Sequence, residues 1–475
     1  MLRRSTVHEL LQSGSGKVGS FFLATLILIS LFVVATYPLD FGVRFWRNPV
    51  AWADNPKNAP PTWVNFFSSF RSAEHNEFNL SQPSQTIVRP DGRTNVYEIQ
   101  VNYEADEPPT FTSFTLSKVT FHERPPVLNI RFLRPDNSEI LLYSFVVPGP
   151  ASGEEPPIRR YYEAPERVRL SSKSSVVDAV ADFARSSFGI DVNRIELARQ
   201  GIERILFGTP SGEDFRVLKG TYTIQITIQL FDNADTLGSV RFVLGGSTFG
   251  VLGTDSLGRD LAVGVLFGFP VALFIGLVTS TLITLVGALL GIVSGYVGGK
   301  TDTLIQRVSD VLNNVPLLPI LIFLVFLLGQ SLWIIIIILI AFGWPGLTVM
   351  IRSMALQIKT AQFVEAAQTL GAPRRHIILR HIFPQTAPYV LAQLIFLAPV
   401  AILAEAALSF LGLGDPSIPT WGQILESGFR SGAVYVGFWW WILPPGLLII
   451  FTAMTFVLIS LGLEPVVNPR LRRIR

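Results

Sequence analysis

Two stretches of the chain resemble a phosphate-binding loop, which would bring nucleotide chemistry. Such a loop requires the pattern G-x-x-x-x-G-K-[ST] between a strand and a helix. GSGKVGS has Leu11 where the first glycine belongs and Val18 where the hydroxyl residue belongs, and SGYVGGKT begins with Ser294 in place of glycine. Both stretches adjoin apolar runs that read as helices, so the backbone N–H groups would lack the strand that positions them. We therefore expect no ATP binding by this chain, and any energy that its work requires must come from a partner or an ion gradient.

The composition excludes several other kinds of site. The chain has no cysteine, which rules out disulfides, thiolate nucleophiles and cysteine metal sites, and its five histidines are scattered. The 38 Lys and Arg against 35 Asp and Glu give a net charge of +3, too balanced for a nucleic-acid-binding surface. The 475 residues are 49% hydrophobic and 15% charged, with a mean hydropathy of +0.43. They include too few polar side chains to cover the surface of soluble domains of that total length. We predict no catalytic, metal-binding or cofactor-binding residue.

Long uncharged runs predict membrane crossing. A helix rising about 1.5 Å per residue needs about 20 apolar residues to cross a hydrocarbon core of about 30 Å. The run from Val311 to Ile351 is about twice that length and contains Gly329-Gln330-Ser331, so it is predicted as two helices with a tight turn. The first uncharged run, between Lys17 and Asp40, could instead be a signal peptide, but it is longer than the apolar region of a typical signal peptide. Six transmembrane helices are predicted, at 18–39, 265–296, 311–329, 331–350, 386–413 and 437–463.

The Lys and Arg residues of the short connections predict the orientation. Such residues concentrate on the cytoplasmic side of membrane proteins. With the N-terminus inside, the short outer connections hold only Arg430. We therefore expect a multi-pass protein of a prokaryotic plasma membrane, with both termini in the cytoplasm and residues 40–260 outside. The cytoplasmic set would be Arg3, Arg4, Lys17, Lys300, Arg307, Arg352, Lys359, Arg374, Arg375, Arg380, Arg470, Arg472, Arg473 and Arg475.

The segment between the first two spans reads as a separate domain, rich in proline and polar residues. From Thr221 to Leu230 apolar and polar residues alternate, the period of a half-buried strand. SVRFVLGG follows a turn-forming DNADTLG, which predicts a hairpin, and NVYEIQVNY and TFTSFTLSKVTF add strands. SSVVDAVADFARSSFG has helical spacing and ends at Gly189. We predict a mostly β domain with one or two helices, inserted at 40–248.

The connection between the fourth and fifth spans reads EAAQTLGAPRRHIILRHIFPQTAP. A helix is predicted to stop at Gly371 and a second to begin at Pro373, because glycine favours helix ends and proline suits first turns. Small alanines would let another protein approach closely. Arginines surround the apolar residues Ile377, Ile378 and Ile382. A DNA-reading helix-turn-helix is one alternative, although both ends are tethered to the membrane, and an ordinary basic loop is another.

The order Glu-Ala-Ala, then glycine, then Ile-Phe-Pro resembles the coupling loop of permease subunits of binding-protein-dependent ABC importers. The resemblance runs from Phe249 to Arg475 and points to the dipeptide and oligopeptide branch, through LGTDSLGRD, GYVGGKTDTLIQRVSD, EAALSFLGLG and IPTWGQIL. The chain departs from that branch at Gly250, Gly264 and Pro270, and its insertion is unusually large. The residues that would form the ATPase-coupling loop, within 352–384, are Glu365, Ala366, Ala367, Leu370, Gly371, Arg374, Arg375 and Pro384.

Several residues outside this loop also carry predictions. Glu405, a carboxylate in an apolar run, would line the pathway, close an outer gate or snorkel to the interface. Arg307 and Asp310 are three apart and would pair on one helical face. Trp439, Trp440 and Trp441 are predicted to form an aromatic belt. The glycines with four-residue spacing, predicted to serve helix packing, are Gly287, Gly291 and Gly295.

Together these features predict an all-α polytopic permease with six transmembrane helices and an inserted, extracytoplasmic, mostly β (α+β) domain. The parts would be 1–39, 40–248 and the permease domain 249–475. The resemblance implies a second permease, two cytoplasmic ATPases that bind ATP and magnesium, and a solute-binding protein, which the inserted domain would help to dock. Peptides are the expected cargo, with nickel or oligosaccharides as alternatives. The rival functions are an ion-coupled carrier and a membrane-anchored receptor or scaffold.

Overall fold

The chain folds into two compact units in a computed structural model that describes residues 10–38, 40–90, 92–212 and 214–467. One unit comprises Met1–Pro49 and Leu261–Arg475, and the other comprises Val50–Asp260. Six arginines used to predict the orientation lie outside the described residues: Arg3, Arg4, Arg470, Arg472, Arg473 and Arg475.

Helix α1, Gly14–Thr36, is the first membrane helix. It starts four residues before the predicted span because Ser13 caps it, its hydroxyl oxygen accepting the N–H of Gly16 at 3.0 Å. Its 23 residues give a length of about 34 Å, enough to cross a bilayer core. A π-helical turn, Gly42–Trp46, and a short 3₁₀ helix, Pro49–Trp52, follow it.

The unit Val50–Asp260 is mostly β, as predicted. One antiparallel sheet has the order β2-β3-β11-β5-β6, a second has the order β1-β12-β4-β7 with β8 also paired to β4, and β9 pairs with β10. The strands are β1 Asn76–Leu80, β2 Gln85–Arg89, β3 Gly92–Tyr103, β4 Phe111–Phe121, β5 Val127–Leu133, β6 Glu139–Val146, β7 Ile158–Arg160, β8 Glu166–Arg169, β9 Gly208–Ser211, β10 Asp214–Val217, β11 Gly220–Leu230 and β12 Thr236–Gly245.

The alternation along β11 is confirmed, since every second side chain from Tyr222 to Leu230 is buried in the core. The predicted hairpin with the next strand is wrong. Both edges of β11 are occupied, by β3 and β5, and the chain passes instead to β12 of the other sheet. Asp235 fixes this crossing, because its buried carboxylate accepts the backbone N–H groups of Phe231, Asp232 and His122.

The described part of this unit has three α-helices where one or two were predicted: α2 Ser174–Phe188, α3 Arg194–Gln200 and α4 Glu203–Leu206. The predicted helix α2 ends at Gly189, whose left-handed φ of 69° suits glycine. In α4, Glu203 is buried and accepts hydrogen bonds from the hydroxyls of Ser171 and Thr112, at 2.5 and 2.9 Å. Burial raises the pKa of the Glu203 carboxyl above its ordinary value, and the hydrogen bonds from Ser171 and Thr112 oppose that shift.

The second stretch of the helical unit begins with α5 Leu261–Val297, α6 Gly299–Asn314, α7 Leu317–Leu328 and α8 Leu332–Lys359. The predicted turn at Gly329 is confirmed, since α7 ends and α8 begins on either side of it. A straight span at 311–329 is wrong. The chain bends by 86° between α6 and α7, where Pro316 disfavours a helical conformation of the preceding residue.

Helix α7 has only 12 residues, about 18 Å, and cannot cross a core of about 30 Å alone. The structure therefore has five helices long and apolar enough to cross a membrane, or six if the bent pair counts as one span, among the described residues. The remaining helices are α9 Gln362–Thr369, α10 Arg374–Ile377, α11 Phe383–Phe410, α12 Trp421–Arg430, α13 Ala433–Val436 and α14 Trp439–Val467.

The glycines at four-residue spacing lie where α5 meets α8. A Cβ placed on Gly287 would lie 3.1 Å from the side chain of Leu347. A Cβ on Gly291 would lie 2.7 Å from the Cβ of Ile351, and one on Gly295 would lie 2.7 Å from the carbonyl oxygen of Arg352. The hydroxyl of Thr348 also donates to the Gly287 carbonyl at 3.1 Å. Small residues thus let the two backbones approach closely.

Replacing Gly291 by alanine should destabilise this contact, because the added methyl group must displace the α8 backbone or Ile351. We expect a cost of about 1–3 kcal/mol, typical of overpacking, seen as a lower thermal midpoint of the purified chain in detergent. Gly346→Ala on α8 is the matched control, since no atom lies within 4 Å of a Cβ there. Equal midpoints for the two variants would refute the close-packing interpretation.

Candidate functional site

The predicted helix stop in the loop between α8 and α11 is confirmed in atomic detail. Helix α9 ends at Thr369, and Gly371 has a left-handed φ of 76°. The N–H of Gly371 donates to the carbonyl of Gln368 at 2.9 Å, and the N–H of Ala372 donates to that of Ala367 at 3.0 Å. This pair of bonds is the Schellman arrangement, which satisfies the last carbonyls of a helix and reverses the chain.

The second helix of the loop, α10, begins at Arg374, one residue after the predicted start at Pro373, which is its N-cap residue instead. A π-helical turn, Ile378–Ile382, joins α10 to α11, and Pro384 lies in the first turn of α11, where its missing N–H is not needed. Helices α9 and α10 with this turn form a compact hairpin at residues 361–384, which we call the coupling hairpin.

One face of the coupling hairpin is buried in the helical unit. Val364, Ile377 and Ile382 are at most 1% exposed. They belong to one apolar cluster with Ile351 and Ala355 of α8 and with residues of α5. The isoleucines among the loop's arginines therefore point into the protein, and the hairpin is fixed to the ends of α5 and α8.

The opposite face of the coupling hairpin is open in the described chain. Leu370 is 88% exposed, and Leu379 and Phe363 are also exposed. Such exposure of large apolar side chains is typical of a surface that contacts another protein. The predicted residues on this open side are Glu365, Ala366, Leu370, Gly371, Arg374, Arg375 and Pro384, whereas Ala367 is half-buried. The sequence did not single out Leu379 and Phe363 as residues of this exposed face, because they are as apolar as their buried neighbours and differ from them only in orientation.

An ion pair that sequence reasoning missed ties α6 to α8. Asp302 accepts two hydrogen bonds from the Arg352 guanidinium, each at 2.6 Å, and one from the Ser294 hydroxyl at 2.5 Å. Both charged groups are partly buried. The pairing connects α6 with α8 and with the end of α5, at the end of α8 that leads into the coupling hairpin. Asp302 and Arg352 each lie at the edge of an apolar run and are 50 positions apart. No other feature of the sequence indicates that they pair.

The predicted pair of Arg307 with Asp310 is wrong, since no ion pair joins them among the residues that the structure describes. Both side chains are exposed, whereas Ser309 of the same helix is buried and Asp302 is half-buried. An exposed pair of this kind gains little over hydration, so the side chains have little reason to associate.

Glu405 is buried within α11, with 4% exposure, and accepts a hydrogen bond from the hydroxyl of Ser409 at 2.6 Å. Its carboxyl is therefore enclosed by the chain itself and does not extend to a surface as a snorkelling side chain would. A Cβ on Gly414 would collide with Ser409, so the segment before α12 closes over this pair. A role for Glu405 in lining the pathway or closing an outer gate stays a prediction.

The three consecutive tryptophans do not form a belt together. Trp439 is exposed, but Trp440 and Trp441 are buried, at 7% and 1%. Successive helix positions point in directions about 100° apart, so three neighbours cannot all face lipid. Trp441 instead packs where Gly428 of α12 leaves room beside it.

Comparisons with known proteins agree with the resemblance of the loop. The family described as "Binding-protein-dependent transport system inner membrane component" matches residues 287–473. The dipeptide transport system permease protein DppC of Bacillus subtilis is 36% identical over 222 residues, which are 46% of this chain and 69% of that protein. The chain belongs to this family.

Two oligopeptide transport system permease proteins OppC are also similar to this permease. That of Bacillus subtilis is 36% identical over 222 residues, or 46% of this chain and 72% of the relative. That of Haemophilus influenzae is 37% identical over 219 residues, or 46% and 70%. A solved structure, "Inward facing conformations of the MetNI methionine ABC transporter", aligns with 43% of this chain at 16% identity and a TM-score of 0.35.

The protein is thus a permease of the peptide-importer type, a membrane-embedded subunit with several apolar helices. Permease subunits of this family are not enzymes, and ATP hydrolysis resides on partner subunits. The residues matched by the family description all lie in the helical unit, and the unit Val50–Asp260 lies outside them.

Replacing Asp302 by asparagine should destabilise the permease, because Arg352 would stay partly buried without its counter-charge. We expect a cost of about 1.5–3 kcal/mol, the range for hydrogen bonds to charged groups, measured as a lower unfolding midpoint in detergent. The control is Arg307→Gln on the exposed side of the same helix. An Asp302→Asn midpoint equal to that of the control would show that the pair does not stabilise α6 against α8.

Proposed function

We propose that this chain is one of two permease subunits of an ATP-driven importer for di- or oligopeptides. It forms half of the translocation pathway and couples to two cytoplasmic ATPases through the coupling hairpin. The observation that carries the proposal is the two-sided character of that hairpin. Its inner face is buried with α5 and α8, while its outer face presents Leu370 at 88% exposure beside Arg374 and Arg375.

A hairpin of this kind suits the transmission of movement. Because Val364, Ile377 and Ile382 are packed into the cluster with α8, a push on the outer face moves the ends of the membrane helices with it. Close-packed interiors transmit displacement with little compression. ATP-dependent closure of the partner ATPases would thereby switch the pathway between inward-open and outward-open states, and no bond is made or broken by the permease itself.

The proposed orientation places the coupling hairpin in the cytoplasm and residues 40–260 outside. Basic residues support it, since Arg352, Lys359, Arg374, Arg375 and Arg380 all lie in or next to this one loop. Both termini are then cytoplasmic. A separate solute-binding protein would deliver the cargo from outside, and peptides are favoured because the relatives DppC and OppC are named for dipeptide and oligopeptide transport.

Replacing Leu370 by serine should weaken ATPase binding, because the exposed apolar side chain would lie at the centre of that contact. We expect the ATPase subunits to copurify in reduced amount and ATP-dependent peptide uptake into proteoliposomes to fall in parallel. Ile195→Ser is the matched control, since Ile195 is similarly exposed, at 83%, but lies in the β-rich unit.

The control should retain full copurification and uptake. Undiminished ATPase binding by Leu370→Ser, together with Glu365→Arg and Gly371→Pro, would refute the proposal. Uptake by the purified chain alone, driven by an ion gradient, would instead establish the rival carrier function.

A further inference from the structure

The β-rich unit exposes an aromatic segment, residues 62–70, which we call the aromatic loop. Its sequence, TWVNFFSSF, contains four aromatic residues. Phe66 and Phe67 are 86% and 85% exposed, and Phe70 is also exposed. Apolar groups of this size are rarely left in water without a reason, and a cluster of them marks a surface that another phase or molecule covers.

The aromatic loop is held in place rather than hanging freely. Its first turn is a 3₁₀ helix, Thr62–Phe66, and the N–H of Thr62 donates to the carbonyl of Gly250 at 3.0 Å. The indole N–H of Trp63 donates to the carbonyl of Val251 at 2.9 Å. Asn65 exchanges two hydrogen bonds with Ser72, each at 3.1 Å. The fold therefore presents Phe66 and Phe67 outward.

Hydrogen bonds within the unit also place the aromatic loop beside its two chain junctions. The Asn55 side chain donates to the carbonyl of Gly258 at 2.9 Å, and the Thr254 hydroxyl donates to the carbonyl of Pro56 at 2.8 Å. The segment that enters the unit and the segment that leaves it therefore lie side by side. Thr254 is bridged to Asp260, and the membrane helix α5 begins at the next residue. Val251, which anchors Trp63, is only three residues from Thr254.

The chemistry of this surface fits the interface of a bilayer. Tryptophan and phenylalanine are favoured at the boundary between headgroups and acyl chains. Val251 and Leu257, next to the outgoing junction, are exposed apolar residues as well. Between Asp54 and Glu74 the only charged residues are Lys57 and Arg71, and Arg71 is paired with Glu104 at 2.6 Å, so residues 55–73 bring no acidic side chain to this surface.

We propose that the aromatic loop inserts Phe66 and Phe67 into the lipid interface and so anchors the β-rich unit to the membrane beside its junctions. The proposal needs only that α5 spans the membrane, and it is independent of which side the unit occupies and of the cargo. A docked solute-binding protein, or another protein subunit, is the competing occupant that the experiment separates.

The natural chain has no cysteine, so a single introduced thiol can be labelled specifically. Phe66→Cys and Phe67→Cys in the full-length chain would each carry an environment-sensitive nitrobenzoxadiazole fluorophore. Ile195→Cys, equally exposed in the same unit, is the control. The labelled proteins are reconstituted into vesicles of phosphatidylethanolamine and phosphatidylglycerol, with or without doxyl-labelled lipid, and are tested against aqueous iodide.

We expect the labels at positions 66 and 67 to emit at shorter wavelength than the control, to be quenched several-fold more by doxyl lipid, and to be protected from iodide. Quenching by iodide equal to that of the control would overturn the proposal. Protection from both quenchers would also overturn it, because protein and not lipid would then cover the loop. Protection that arises only after a solute-binding protein is added would assign the loop to that partner instead.

Discussion

Burial of Val364, Ile377 and Ile382 against α5 and α8 is the interaction on which the proposed coupling role of the helical unit depends. A loop of some twenty residues between two membrane helices would otherwise be free to move independently of them. With its inner face packed, it becomes an extension of α8 and α11, and the Schellman turn at Gly371 fixes the angle between its halves. The ion pair of Asp302 with Arg352 then braces α6 at the same end of α8.

Local features of the fold were predictable from the sequence. The helix stop at Gly371, the turn at Gly329 and the alternation along β11 each depend on a few neighbouring residues whose conformational preferences agree. Features that join distant segments of the chain could not be predicted from the sequence. Alternation in two successive strands does not specify their partners, so β11 and β12 entered different sheets, and the bond between Asp302 and Arg352 spans residues far apart in the chain.

The folds of the two units are shaped by different solvents. In the helical unit, a bilayer offers no partner for backbone N–H and C=O groups, so long helices must satisfy them internally, and glycines on α5 supply the close contact that apolar burial cannot drive in lipid. In the β-rich unit, water drives burial of the alternate side chains of the two sheets. The aromatic loop concentrates several exposed aromatic side chains in one short segment of that unit, and they are explained if part of the unit also meets lipid.

Photo-crosslinking from position 370 in the assembled, purified transporter tests the central claim most directly. A photoreactive amino acid replaces Leu370, and the adduct is identified by mass spectrometry, with the same substitution at Ile195 as control. The account predicts a crosslink from position 370, and none from position 195, to a separate nucleotide-binding subunit. A crosslink from position 370 to the solute-binding protein or to lipid alone, with the ATPases present, would contradict it.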